Sequence, residues 1–235
     1  MEYHGQELET FALATNWKAR VLQVLAPHIT GSVLEVGAGI GETTRALRPN
    51  LNVAEWFCLE PDVAMSQLIC AAAAEGRLGA DVKSLCGTTA DLSQKSRFDT
   101  ILYIDVLEHI AEDRDELQRS TELLRAGGRL IVLSPAYQFL FSEFDRAVGH
   151  FRRYSKSMLR AVAPASLEEL TAVYLDSIGL LASCANRFML RQQHPTARQV
   201  MTWDRLMVPL SGLIDPLVQH RFGRSVIMIW KKPGA

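Results

Sequence analysis

The sequence predicts an α/β fold in which helices cover both faces of a mainly parallel sheet. Short apolar segments alternate with helical segments from residue 32 to residue 133, which is the pattern of a doubly wound sheet. A turn with glycines at positions 37, 39 and 41 joins the first apolar segment to the first helix of this alternation. The chain has 235 residues, of which 48% are hydrophobic, and this is enough to bury the core of one such domain.

The chain opens with a predicted helix over residues 8–28, in which apolar residues recur at helical spacing and Pro27 marks the end. A cofactor-binding core is predicted over residues 29–134. Its strands are short apolar runs, predicted at residues 32–36, 53–59, 81–85, 100–104 and 129–133. Its helices are predicted at residues 42–47, 62–74 and 113–124. Ligands of such sheets bind at the carboxyl ends of the strands, so the residues there carry the functional information.

A substrate-side segment is predicted over residues 135–165, which are rich in aromatic and charged residues and include a helix that begins near Ser155. A sixth strand is predicted at residues 169–175, and a last strand at residues 225–230. Everything is assigned to one domain, residues 1–235.

The residues between the last two strands, about 177–223, are too many for a simple connection and predict an inserted helical cap. Its apolar helix, at residues 201–219, must bend or split at Pro209 and Pro216. Four roles for this helix stay open: a lid over a lipophilic substrate, a dimer surface, an extra core helix, or a transient membrane contact. Few lysines or arginines lie close to the stripe, which weakens the last role.

Composition excludes several classes of protein. The formal net charge of −1 gives no overall attraction to nucleic acid or to an anionic membrane. The first ten residues are polar and acidic, unlike a signal peptide, and no apolar run reaches the ~18 residues needed to cross a bilayer. The four cysteines lack the spacing of a zinc site. We therefore expect a cytoplasmic monomer or homodimer that binds a small-molecule substrate, without nucleic-acid binding or stable membrane insertion.

The acidic residues around the glycine turn indicate its ligand. A dinucleotide fingerprint requires a small residue at position 42, where this chain has Glu42. A carboxylate there would compete with a pyrophosphate for the positive end of the helix dipole. Glu35, just before the turn, adds negative charge and is a candidate cofactor-binding residue. S-adenosylmethionine carries an ammonium and a sulfonium and no phosphate, so the sequence predicts this cofactor ahead of a dinucleotide.

Further acidic residues lie at the ends of later strands. Glu60 follows Gly41 by nineteen residues, the position of an acid that binds both ribose hydroxyls. Asp91, after the third strand, either meets an adenine amine or caps a turn. Asp105 ends the fourth strand, and Glu108 and His109 follow within one helical turn. These last three either hold a divalent cation or have separate roles, so no metal ligand is assigned.

Together these motifs resemble those of the class I S-adenosylmethionine-dependent methyltransferases, over roughly Trp17 to Arg160. The segments that carry the resemblance are residues 33–41, Glu60, residues 87–92, residues 99–109 and residues 124–132. The resemblance implies a Rossmann-like, doubly wound sheet of seven strands whose last strand is antiparallel. It also implies that the methionine end of the cofactor lies over Gly37, Gly39 and Gly41.

The family pattern implies further cofactor contacts. Glu60 would bind the ribose, and the loop containing Thr88, Thr89 and Asp91 would bind the adenine. Asp105 would lie near the methionine moiety and the substrate. Many members carry an acid where this chain has Thr88, which puts the side-chain contact to adenine in doubt. The stretch from Asp105 to His109 also resembles ubiquinone-pathway O-methyltransferases, some of which place a metal on a similar set.

The catalytic candidates lie on the substrate side. Residues 134–154 resemble a segment that ends in Gly-His-x-Arg-Arg-Tyr in a subgroup of these enzymes. His150 is the candidate general base, because an imidazole ionises near working pH. Asp105, His109 and Tyr137 are the other catalytic candidates. Asp145 and Tyr154 would orient a substrate, and three arginines would hold a phosphate or carboxylate or form a solvated face: Arg146, Arg152 and Arg153.

The expected function is methyl transfer from S-adenosylmethionine to a small molecule, with O-methylation of a specialised metabolite or quinone-like phenol as the leading hypothesis. N- or C-methylation of a natural product or lipid-linked intermediate is an alternative. Two other classes are a cofactor-binding partner subunit without activity, and a dinucleotide-dependent oxidoreductase.

Overall fold

The fold is described by a computed structural model that covers residues 13–79, 81–187 and 196–234. Its strands are β1 Ser32–Val36, β2 Glu55–Glu60, β3 Val82–Cys86, β4 Phe98–Ile104, β5 Leu124–Pro135, β6 Glu168–Leu175 and β7 Ser225–Lys231. They form one seven-stranded sheet in the order β3-β2-β1-β4-β5-β7-β6. Strand β7 is antiparallel to both of its neighbours, and the other pairs are parallel. The predicted Rossmann-like sheet with an antiparallel last strand is therefore confirmed.

Helices pack on both faces of this sheet. Their bounds are α1 Thr15–Leu25, α2 Glu42–Leu47, α3 Val63–Ala74, α4 Asp113–Leu123, α5 Glu143–Ala147, α6 Lys156–Val162, α7 Ser177–Ala185, α8 Ala197–Thr202 and α9 Val208–Leu217. A π-helical turn, Trp203–Met207, joins α8 to α9 ahead of Pro209. Proline lacks the N–H that an uninterrupted helix would use, so the chain passes from one helix to the next through this wider turn.

Two predicted boundaries differ from the structure. Strand β5 begins at Leu124 and not at residue 129, because Leu124 pairs with Phe98 before the register shifts at Gly127 and Gly128. The first helix is α1 followed by a 3₁₀ turn, Ala26–His28, and residues 8–12 of the predicted helix lie outside the described residues. The remaining predicted core strands and helices agree with the structure to within two residues.

The central strand β1 determines where a ligand can bind. All five of its residues are buried, between β2 on one side and β4 on the other. The chain leaves β1 toward β2 and later returns to β4 on the opposite side, so the connections diverge at the carboxyl ends of β1 and β4. Such a switch point opens a crevice in a doubly wound sheet.

The cap is attached to the rest of the structure by buried carboxylates. Asp204 accepts hydrogen bonds from the backbone N–H groups of Asn16 and Trp17 at 3.2 and 2.8 Å. It thus provides an acceptor for two of the backbone donors that the first turn of α1 leaves without a partner inside the helix. Asp215 on α9 accepts from the N–H groups of Asp176 and Ser177 at 3.1 and 3.0 Å. No helix within the described ranges is long and apolar enough to cross a membrane.

Asp176 is the centre of this attachment. Only 1% of its surface is exposed, and its carboxylate caps α7 by accepting from the Gly179 N–H at 2.9 Å. It also accepts from Trp203 Nε1 at 2.7 Å and from the Ser211 hydroxyl at 2.8 Å. One carboxylate therefore joins three parts of the cap: α7, the π-helical turn and α9.

Replacing Asp176 with Ala is expected to lower the free energy of unfolding by ~3 kcal/mol or more, because three buried donors lose their acceptor. Asp62→Ala is the matched control. Asp62 is an exposed N-cap that accepts one bond from the Met65 N–H at 2.9 Å, and its loss costs ~1 kcal/mol. Urea unfolding of the two variants measures the difference. Equal losses would show that the network does not hold the cap.

Candidate active site

A cavity of about 270 Å³ opens at the switch point between β1 and β4. The glycine turn and α1 form one wall, and the carboxyl end of β4 forms another. Residues of the substrate-side segment, from Phe144 to Arg153, close the opposite side, and the cap contributes Trp203. The structure thus brings five of the predicted site residues to the lining of one cavity: Gly37, Gly39, Asp105, His109 and His150.

The glycine turn approaches the β4 loop closely at Gly37. This residue has a φ of 67°, and a Cβ added there would lie 2.6 Å from a methyl carbon of Val106. No other residue fits this conformation and this spacing. The N–H groups of Gly37 and Ala38 bond to the Leu59 carbonyl at 2.7 and 3.2 Å, which fixes the turn over β2. The turn is therefore a rigid cradle with backbone atoms at the cavity surface.

Glu35 lies beneath this turn and not at the cavity wall. Its carboxylate accepts from Thr44 Oγ1 at 2.5 Å and from Trp56 Nε1 at 2.8 Å, both in the interior. Burial raises the pKa of Glu35 to about 7, although the two hydrogen bonds lower it. Glu35 was predicted to contact a cofactor directly. Its side chain instead points from β1 toward α2, where it supports the glycine turn from below.

Glu60 lies at the other edge of the turn. Its carboxylate accepts from the N–H groups of Gly39 at 2.8 Å and Asp62 at 3.0 Å, and it is almost fully buried. Burial raises its pKa, and the two backbone bonds lower it. Glu60 thus connects the end of β2 to the glycine turn, next to the cavity but outside its lining.

The loop after β3 is built as a small capped turn. The Thr88 hydroxyl and N–H both donate to Asp91 at 2.8 Å, and these bonds lower the pKa of Asp91. Both side chains are exposed, whereas Thr89 is buried and donates to Glu116 at 2.8 Å. Thr89 therefore points into the protein interior. Of the two roles left open for Asp91, the turn cap is present in the structure.

Two acids with raised pKa values lie at the cavity, just after the carboxyl end of β4. Asp105 has a φ of 54° and reaches the cavity surface, where surrounding protein raises its pKa to about 6. Glu108 is fully buried, and burial together with the Asp105 charge raises its pKa well above the usual value. One oxygen of Glu108 accepts from the Ser134 hydroxyl at 2.9 Å, and the other has no hydrogen-bond partner among the residues that the structure describes. Burial therefore favours the protonated form of Glu108.

Two histidine rings meet edge to face beside these acids. The ring centroids of His109 and His150 are 4.5 Å apart. Burial, with a contribution from His150, lowers the pKa of His109 to about 4, so this ring is neutral. One ligand atom from each of Glu108, His109 and His150 lies within 4.8 Å of the others. This spacing fits a cation and also fits a hydrogen-bonded network, so the two readings stay open.

His150 is oriented by a buried carboxylate. Its Nδ1 lies 2.9 Å from an oxygen of Asp145, which is fully buried. Arg153 holds the same carboxylate with two bonds of 2.7 and 2.9 Å. Burial raises the pKa of Asp145, but the bonds from His150 and Arg153 outweigh it and hold the pKa well below its usual value. An ionised Asp145 fixes the tautomer in which Nδ1 carries the proton, and this leaves Nε2 as a proton acceptor.

The other substrate-side candidates lie elsewhere. Tyr137 stacks on Tyr174 with ring centroids 4.9 Å apart and does not line the cavity; burial raises its pKa to about 12. Tyr154 is buried and donates to Asp113 at 2.7 Å. Arg152 also pairs with Asp113, and Arg146 pairs with Glu143 at the surface. These residues shape the segment from outside, so their predicted contact with a substrate has no support in the structure.

The family model described as "Methyltransferase domain" matches residues 34–130. This range includes the glycine turn, Glu60 and the residues from Asp105 to His109 that follow β4. The chain therefore contains a methyltransferase domain, and the match supports a class I S-adenosylmethionine-dependent enzyme. The match identifies an enzyme domain, so the inactive subunit and the dinucleotide oxidoreductase are not retained for this methyltransferase. A sequence comparison with curated proteins gives no match.

Solved structures share the fold of this methyltransferase at low sequence identity. Geranyl diphosphate C-methyltransferase from Streptomyces coelicolor A3(2) has a TM-score of 0.66 and 13% identity, covering 98% of this chain and 86% of that chain. A chain of the complex between the Haloferax volcanii Trm112 methyltransferase activator and a methyltransferase has a TM-score of 0.65 and 17% identity, covering 97% and 92%.

A third structure is the N-methyltransferase NodS from Bradyrhizobium japonicum WM9, in complex with S-adenosyl-L-homocysteine. Its TM-score is 0.57 at 14% identity, covering 92% of this chain and 86% of that chain. Together the three similarities support the fold and leave the acceptor atom open.

The methyltransferase cavity also contains residues that the sequence analysis missed. Arg224 lines it with its guanidinium 4.7 Å from the Trp203 ring centroid, and Lys18 pairs with Glu42 at 3.1 Å. The direction of β7 could have indicated from the sequence that Arg224 lies near the cavity. Because β7 is antiparallel beside β5, the residue before β7 lies at the same edge as the carboxyl end of β5.

Replacing Glu35 with Gln tests its position beneath the turn through the pH dependence of stability. The folded-state pKa of about 7 is above the ordinary 4.5, so the unfolded chain loses this proton first as pH rises. The wild type should lose up to ~3 kcal/mol of unfolding free energy relative to Glu35→Gln across this window, at ~1.4 kcal/mol per pKa unit. Urea unfolding at several pH values checks this. Exposed Glu143→Gln is the control, and parallel wild-type and Glu35→Gln profiles would contradict the assignment.

Proposed function

We propose that this methyltransferase transfers a methyl group to a hydroxyl oxygen of a small-molecule acceptor, and that His150 is the general base. The observation that carries the proposal is the Asp145–His150 pair, at 2.9 Å, on the wall of the cavity beside the glycine turn. Transfer to oxygen requires that the acceptor lose a proton, and a paired, oriented imidazole is the usual group for that task. This supports O-methylation ahead of the N- and C-methylation found among enzymes with the same fold.

The residues at the switch point fit S-adenosylmethionine. Gly37 allows the turn to pack closely on Val106 with its backbone at the cavity surface, and Glu42, rather than a small residue, begins α2. In the proposal, Gly37, Gly39 and Gly41 hold the methionine end and Asp105 faces its ammonium. Glu60 holds the ribose, and the turn formed by Thr88 and Asp91 borders the adenine. S-adenosylmethionine supplies a methyl group on a sulfonium that leaves as a neutral thioether.

The residues of the cavity then have separate tasks. His150 Nε2 accepts the hydroxyl proton, and ionised Asp145 stabilises the imidazolium that forms. Glu108 keeps its proton and donates a hydrogen bond to the acceptor. The rest of the rate enhancement comes from holding the acceptor oxygen in line with the methyl group, since alignment alone is worth several orders of magnitude. This division explains why one base is sufficient.

Replacing His150 with Ala should lower kcat ~10²-fold or more, with the Kd for S-adenosylhomocysteine unchanged, because the base acts on the acceptor only. Release of S-adenosylhomocysteine with catechol and hydroquinone acceptors measures the rate, and calorimetry measures binding. His28→Ala is the control, since His28 lies outside the cavity. EDTA should leave the wild-type rate unchanged. Full activity of His150→Ala would contradict the base assignment, and inhibition by EDTA would favour a metal on the Glu108 set.

Replacing Glu60 with Ala should weaken S-adenosylhomocysteine binding by ~1–3 kcal/mol, the range for hydrogen bonds to a charged group. Because Glu60 also bonds the glycine turn, the loss alone does not identify a ribose contact. An S-adenosylhomocysteine analogue that lacks both ribose hydroxyls separates the two roles. If Glu60 binds the ribose, the analogue should bind equally to wild type and Glu60→Ala in calorimetry. An undiminished effect of the substitution on the analogue would assign Glu60 to the turn only.

A further inference from the structure

The cap helix α9 buries polar residues and exposes apolar ones, the reverse of an ordinary surface helix. Its buried positions are Val208, Ser211 and Asp215, whereas leucines occupy its outer side. Leu213 is 72% exposed and Leu217 is 81% exposed. Leu206 and Leu210 are exposed as well. The four leucines are separated along the chain by four, three and four residues, so they form one stripe on the helix surface. We call these four leucines the cap stripe.

The reversed polarity is fixed by the contacts beneath it. Ser211 donates to Asp176 at 2.8 Å and accepts from the Ile178 N–H at 3.1 Å. Asp215 accepts the two backbone bonds at the beginning of α7 described above. Turning the leucines inward would break all of these bonds. The cap stripe is therefore a stable feature of the surface, and such a continuous row of exposed leucines marks an interaction site.

The exposed charge of the cap segment and the last strand is of one sign. Residues 177–235 contain eight lysines and arginines but only two acids, Asp204 and Asp215, and both acids are buried. Four arginines of the cap are exposed, and in the part of the chain that the structure describes none of them forms an ion pair: Arg187, Arg198, Arg205 and Arg221. The predicted shortage of basic residues holds within residues 201–219, where Arg205 is the only one, but the wider segment is basic, and the net charge of −1 for the whole chain conceals this.

We propose that the cap docks on the surface of a lipid bilayer that contains anionic phospholipids. A cap that carries exposed leucines and exposed arginines without ion pairs matches the acyl boundary and the phosphate layer of such a surface. A second copy of the chain fits less well. A two-fold contact would bring the same basic face against itself, with no exposed acid in the cap to neutralise it. The cap helices lie on the bilayer, since none of the described helices can span it.

The cap stripe begins next to the catalytic cavity. Trp203, which lines the cavity, precedes Leu206 by less than one turn, and Arg224 of the cavity stacks on Trp203. Docking through the cap stripe therefore brings the cavity close to the bilayer surface. The surface contact itself stands independently of the acceptor proposed above.

Flotation with lipid vesicles tests the proposal. The full chain should float with vesicles of equal parts phosphatidylglycerol and phosphatidylcholine, and should remain unbound with pure phosphatidylcholine or at high salt. Leu210→Ser/Leu213→Ser should reduce binding about tenfold or more, because two of the leucine side chains that would enter the bilayer are lost. Arg198→Gln/Arg205→Gln/Arg221→Gln should reduce binding to a similar extent.

Matched variants on other surfaces serve as controls. Leu68→Ser and Arg77→Gln change exposed residues far from the cap and should float as the wild type does. Absence of flotation with the anionic vesicles overturns the proposal, as does full binding by the leucine variant. Sedimentation velocity provides a second readout. If the wild type does not bind vesicles but forms a dimer, and Leu210→Ser/Leu213→Ser abolishes that dimer, the cap stripe is a self-association surface.

Discussion

The contact between Gly37 and Val106 is the constraint on which the site depends. It joins the loop after β1 to the loop after β4, and the absence of one Cβ allows the two to touch. Val106 is also the residue between Asp105 and the turn that carries Glu108 and His109. Any widening of this contact would displace the glycine cradle and the acids of β4 in opposite directions. The close packing of Gly37 on the Val106 side chain, added to the pairing of β1 with β4, therefore aligns the cofactor side and the acceptor side of the cavity.

Much of the fold could be predicted from the sequence because its signals are local. Apolar runs give the strands of the core, and Gly37, Gly39 and Gly41 identify the turn. The start of β5 was misplaced because Gly127 and Gly128 look like a break, whereas long-range pairing of Leu124 with Phe98 carries the strand through them. Local propensity contains no information about such a partner.

The site was predicted less completely, for a related reason. An acid in a sequence gives no sign of whether it faces a cavity or the interior. Glu35 and Thr89 looked like ligand contacts and are structural, because their partners, Trp56 and Glu116, come from distant segments. Arg224 was missed because its position depends on the direction of β7. His150 and Asp145 were found because they lie five residues apart in one segment, so their pairing is nearly local.

The position of β7 has a consequence for the order of assembly. This strand follows all the others in the sequence, yet it lies between β5 and β6 and bonds to both. While a ribosome makes the chain, β5 and β6 therefore emerge long before the strand that joins them, and neither can complete its hydrogen bonds. The half of the sheet formed by β3, β2, β1 and β4 has no such delay. A nascent chain would form the cofactor side first and leave two open strand edges, a point at which chaperone binding or aggregation competes with closure of the sheet.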